Sequence, residues 1–212
     1  MKKRLFAAAL FLIFSVSFSG CNSKDMAAAP LPEDLTFTMN GIQEDIPGYD
    51  AHDIIGTYEN DTCYNITPEA VSKGSEFTIY KYDPSFTSYL LFDDTIYPLG
   101  TLVGGYGVLD MKLVDIDRDG MSEMFFTFSS GSGIHTSSAA YFNPATRETT
   151  SLHTWPFGAE LMFIRDTGGG LSLYSADITI GPESVANYTL EAGDLVGNIV
   201  VEKGIASFVP VK

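Results

Sequence analysis

The chain has 212 residues, with 12 basic against 27 acidic ones and a formal net charge of −15. A chain this acidic does not seek nucleic acid, whose phosphates need Lys and Arg, and an anionic membrane surface repels it. Its acidity fits solubility and cation binding instead.

The first residues are Met1-Lys2-Lys3-Arg4, after which Leu5 to Phe18 is almost wholly apolar and Phe18-Ser19-Gly20-Cys21 follows. A basic start and an apolar stretch too short for an ordinary membrane span read as a signal. Small residues immediately before a cysteine resemble the bacterial lipoprotein signal. The resemblance implies that residues 1–20 are removed and that Cys21 is diacylated as the new N-terminus. Two acyl chains make a stable anchor. The implied location is the cell envelope, on the extracytoplasmic side of a bacterial membrane. An ordinary signal peptide cleaved elsewhere is the alternative. Loss of Lys2, Lys3 and Arg4 takes the basic residues from 12 to 9 against 27 acids, and the net charge to −18.

Residues 21–34 then form the lipidated N-terminus and a flexible tether, rich in small residues with Pro30 and Pro32. Residues 35–212 are long enough for a single domain with its own core. With Cys21 spent on lipid, Cys63 has no partner and reads as an inert, buried thiol.

Within the domain, Leu35 to Met39 alternates and Asn40-Gly41 turns, while residues 42–56 are irregular. Pro68 to Ser72 reads as a helical turn with Thr67 as N-cap. Phe77 to Tyr82 is an alternating strand stopped by Asp83-Pro84, and Ser88 to Tyr97 is another, stopped by Pro98. Gly104 to Gly107 turns the chain into Val108 to Val114, and Met124 to Phe128 follows as a short apolar strand. Thr136 to Phe142 and Glu148 to Leu152 flank the turn Asn143 to Arg147, and Leu161 to Ile164 and Leu171 to Tyr174 flank Asp166 to Gly170. Tyr188 to Leu190, Ile199 to Glu202 and Ala206 to Val211 complete the set. Short strands with frequent turn signals predict an all-β, antiparallel fold: a meander or sandwich, or a partial β-propeller. No repeat of fixed period supports a complete propeller.

The most informative stretch is 115–123, Asp115-Ile116-Asp117-Arg118-Asp119-Gly120-Met121-Ser122-Glu123. Carboxylates fall at positions 1, 3, 5 and 9, and glycine at position 6 permits the sharp turn. Position 7, Met121, offers its carbonyl oxygen. Hard cations such as Ca²⁺ take six to eight oxygens. The expected metal ligands are therefore Asp115, Asp117, Asp119, Met121 and Glu123, with Ca²⁺ as the cofactor. Position 12 is Phe126 rather than the bidentate Glu of a helix-flanked loop, and both flanks read as strand, so the motif is strand–loop–strand.

This stretch, with Gly131-Ser132-Gly133-Ile134-His135 and Tyr141-Phe142-Asn143-Pro144 after it, resembles the calcium loop of FG-GAP/VCBS-type repeats of integrin-like propellers. It also resembles bacterial lipoproteins that carry one such loop. The resemblance covers about residues 108–153 and implies extracellular calcium-dependent structure without a particular reaction.

Other constellations read as structure before chemistry. Ser132 lacks the first glycine of a nucleophile elbow and the helix that must follow it. Gly131-Ser132-Gly133 is a tight turn or an anion nest. Gly168-Gly169-Gly170 lacks the lysine of a phosphate loop. His52, His135 and His153 stand at no metal-ligand spacing. Trp155-Pro156-Phe157 with Tyr141 and Tyr174 suggests an aromatic platform for a sugar or peptide, although such residues mostly fill β cores. Asp93-Asp94 and Glu59 with Asp61 are the acid pairs on which a glycoside hydrolase reading would rest. The expectation is a lipid-anchored, calcium-stabilised β domain with a binding or envelope-structural role and a protein or glycan ligand. An acid-dependent hydrolase and a glycan- or solute-binding lipoprotein are the alternatives.

Overall fold

The computed structural model describes residues 35–100, 104–155 and 159–211. The expected signal peptide, Cys21, the expected tether, Pro156 and Phe157 lie outside the described residues. Among the described residues, no helix is long and apolar enough to cross a membrane.

Strand β1 (Thr36–Asn40) begins the described chain, but its partner comes near the end. The first complete sheet contains β2 (Ile42–Gln43), β3 (Thr62–Asn65), β4 (Thr78–Asp83), β5 (Ser88–Phe92) and β6 (Thr95–Leu99), paired in that order. The second is a four-strand meander of β7 (Gly107–Val114), β8 (Glu123–Ser130), β9 (Thr136–Asn143) and β10 (Glu148–Trp155). The third runs β1-β13-β12-β11, with β11 (Glu160–Arg165), β12 (Leu171–Ile180) and β13 (Asn187–Glu202), and β14 (Ile205–Pro210) also pairs with β13. All strand pairings are antiparallel, and no barrel closes. The fold is all-β, as the short, turn-bounded strands predict.

The continuous apolar run of β8 has a direct cause: this strand is buried on both faces of the second sheet. Met124 and Phe126 point into a large core shared with Ile79 and Leu90 of the first sheet and with Met162 and Leu190 of the third. Phe125 points the other way, into a core with Tyr141, Leu161, Phe163 and Leu173. Phe142 is met nearly edge-on by Phe77 and Phe92 at 5.9 and 6.1 Å between ring centroids, a favourable aromatic geometry. A third core, beneath the irregular segment 44–57, holds Ile46, Ile54, Cys63, Tyr80, Tyr82 and Tyr89.

Several local expectations are corrected. Ser88 to Tyr97 is not one strand but the hairpin β5–β6, turned at Asp93 and Asp94, whose φ values are +51° and +53°. Asp tolerates this left-handed region better than most residues, which converts a polar break inside an apolar run into a turn. Pro98 does not stop the strand, because β6 is the sheet edge, where a missing N–H is tolerated. Thr67 does not cap the helix α1 (Glu69–Gly74), whose N-cap is Pro68 without a side-chain bond. The Thr67 hydroxyl instead accepts the Ile79 N–H and donates to Asn65. β12 and β13 extend through polar and glycine-containing segments with no strand signal of their own, held there by pairing with each other.

Candidate metal centre

The loop at 115–122 joins β7 to β8, whose register brings Val114 opposite Glu123. Its alternating acids therefore start and end at a closed strand pair. Carboxylate oxygens of Asp115, Asp117 and Asp119 lie within 4.8 Å of one another, and all three side chains are exposed. The same carboxylates organise the loop backbone. Asp115 accepts the N–H groups of Arg118 at 2.7 Å and Gly120 at 3.1 Å. Asp117 accepts that of Asp119 at 3.1 Å, and Asp119 that of Met121 at 2.7 Å. Gly120 has φ +92°, and an added Cβ there would touch nothing within 4 Å. The glycine requirement is thus conformational rather than steric.

Glu123 is placed differently from the triad. Its side chain is buried, with Oε2 accepting the Ile116 N–H at 2.9 Å and Oε1 accepting from Asn143 Nδ2 at 3.1 Å. Burial raises its pKa above the usual carboxylate range, the Ile116 N–H opposes the rise, and Asp117 and Asp119 add to it by repulsion. Glu123 therefore latches the base of the loop while the three aspartates converge above it. Ile116, between Asp115 and Asp117, turns inward into the core shared by the second and third sheets. The Met121 side chain is exposed.

An all-oxygen donor set of three carboxylates suits a hard cation rather than a soft one. Asp115, Asp117 and Asp119 can hold a metal ion.

Two contributors escape a reading of the sequence. Asn143 serves its own hairpin by accepting the Ala145 and Thr146 N–H groups while its amide holds Glu123. The turn function is legible from Asn-Pro, but the second bond depends on the β8–β9 register. The other is Gly204, in the β13–β14 turn, where an added Cβ would lie 2.9 Å from Asp117 Cβ. No local signal links residues so far apart in the chain.

The remaining candidates are dispersed. Asp93 and Asp94 form the β5–β6 turn, and Asp93 pairs with Arg147. Asp61 accepts the Tyr58 N–H within its own turn. Burial pushes the Cys63 thiol up to about 11, which suits an inert cysteine. Gly131-Ser132-Gly133 leads into strand β9 and not into a helix. Tyr141 is stacked on Phe125 inside a core, at 5.2 Å between centroids, so it contributes nothing to an exposed aromatic platform. His52 is exposed in a 3-10 turn, and His153 stacks on Phe208. His135 stands beside Glu160 and edge-on to Tyr106, in a separate recess.

Comparison of the chain with protein-family models, with curated protein sequences and with solved structures returns no match.

Proposed function

We propose that the protein is a lipid-anchored, extracytoplasmic β domain whose β7–β8 loop binds Ca²⁺ in the manner of FG-GAP/VCBS-type repeats, and that its role is binding or envelope structure. One observation carries this reading: Asp115, Asp117 and Asp119 converge on a loop whose base is fixed by a buried carboxylate. Three exposed like charges held this close repel one another, and a divalent cation relieves that repulsion. The Met121 carbonyl and water complete the oxygen shell, and Glu123 orients the loop through the Ile116 N–H. The Ser19-Gly20-Cys21 sequence supports the lipid anchor.

Calorimetric titration with CaCl₂ tests the site. One equivalent of Ca²⁺ should bind wild type in the range of about 10⁻⁴–10⁻³ M that is typical of extracellular modules, and Asp117→Ala should lose it. Equal heats for the two proteins would remove the calcium reading. Mg²⁺ should substitute poorly, because it prefers a smaller octahedral shell with retained water.

A further inference from the structure

A recess of about 680 Å³ lies outside the metal loop and shares no residue with it. The turn before β7, the β8–β9 loop and the strands β11 and β12 form its walls. On its lining is Glu160, only 5% exposed. One carboxylate oxygen, Oε2, accepts a short hydrogen bond from Ser137. The other, Oε1, is 3.6 Å from His135 Nδ1, an ion-pair distance too long for a hydrogen bond. Among the described residues no hydrogen-bond donor engages Oε1, so a nearly buried carboxylate retains an acceptor. A donor or a positive charge that enters the recess gains that acceptor.

The surroundings restrict what that partner can be. Tyr106, Ile134 and Ile178 give the recess an aromatic and aliphatic lining, and Asp177 adds a second acid. Lys81, whose charge is coupled to Glu160, is fully buried, has no hydrogen-bond partner among the described residues, and holds its Nζ 4.7 Å from the centroid of the Tyr188 ring. It makes no salt bridge with Glu160 at contact distance. An anion would meet two carboxylates. A cation with an apolar body satisfies both the acid and the walls, since recognition pockets of this kind combine apolar lining with a few placed polar groups.

We propose that this recess binds an organic ammonium ion, with its nitrogen donating to Glu160 and its apolar body against Tyr106, Ile134 and Ile178. The site is independent of the metal loop.

Calorimetric titration of the full chain at about pH 8 tests this with benzylammonium, benzyl alcohol and benzoate as probes of one shape and three charges. The expected result is saturable binding of benzylammonium at least tenfold tighter than benzyl alcohol, no binding of benzoate, and a loss of tenfold or more in Glu160→Gln. Glutamine keeps an oxygen for the Ser137 hydrogen bond. Ile134→Lys is the second variant: Ile134 is 70% exposed, so the fold should tolerate the change while the new charge repels the probe. Equal affinity for the amine and the alcohol, or unchanged affinity in both variants, would overturn the proposal.

Discussion

Replacing Lys81 by Met should stabilise the protein at neutral pH and flatten its pH dependence. Lys81 lies on β4, fully buried between sheets. Burial lowers its pKa from 10.5 to about 7, against the pull of Glu160 and Asp83. In the unfolded chain the amine stays protonated until about pH 10.5, whereas in the folded chain it gives up its proton near pH 7. Between these values the unfolded state binds more protons, so stability rises with pH. Below about pH 7 both states are protonated and the whole penalty is present. The difference of about 3.5 pH units corresponds to roughly 5 kcal/mol as an upper bound. Between pH 7 and 9 it contributes a rise of roughly 2–3 kcal/mol. That window avoids opposing contributions: the Cys63 thiol, raised from 9.0 to about 11, and the buried tyrosines work against stability only at higher pH. Met fills similar space without a charge. Urea unfolding at several pH values from 7 to 9 should show the rise in wild type and a nearly level profile in Lys81→Met. Parallel profiles would refute the reasoning, since they would mean that Lys81 is not held in a dehydrated site.

Three further outcomes follow from the same structure. Glu123→Ala removes the acceptor of the Ile116 N–H and the partner of the Asn143 amide, so urea unfolding should show a loss of about 2–3 kcal/mol. Gly204→Ala combines φ +75° with a 2.9 Å approach to Asp117 Cβ; it should cost about 1–3 kcal/mol and weaken calcium binding, as read by denaturation and calorimetry. Detergent phase partitioning should move wild type, but not Cys21→Ala, into the detergent phase, and identical partitioning into water would exclude the lipid anchor.

The fold class was legible because strand alternation and turn chemistry are local. Phe77 to Tyr82 shows both the reach and the limit of that reading. Its parity places Lys81 on the face of Phe77 and Ile79, which enters the large core, while Tyr80 and Tyr82 enter the third core. Alternation alone suggests one wet face, and only the segment 44–57 packed over the sheet makes both faces dry. β13 was hidden for the opposite reason. Its central Glu191 to Gly197 stretch has weak strand propensity, and β12 supplies the pairing. In the candidate metal centre, the spacing of Asp115, Asp117 and Asp119 carried directly into geometry, because alternate residues and a left-handed glycine are local properties. The bonding of Glu123 was not legible, because it depends on the Val114–Glu123 pairing and on Asn143 from the adjacent strand.

The most direct test of the central claim is the melting temperature in 10 mM CaCl₂ compared with excess chelator, for wild type and Asp117→Ala. At about ten- to a hundredfold excess over Kd, a cation that binds only the folded state adds about 1.4–2.7 kcal/mol. For a domain of this size that is a rise of about 3–10 °C. The account predicts this rise in wild type and its loss in Asp117→Ala. Wild type melting at the same temperature in calcium and in chelator would contradict it.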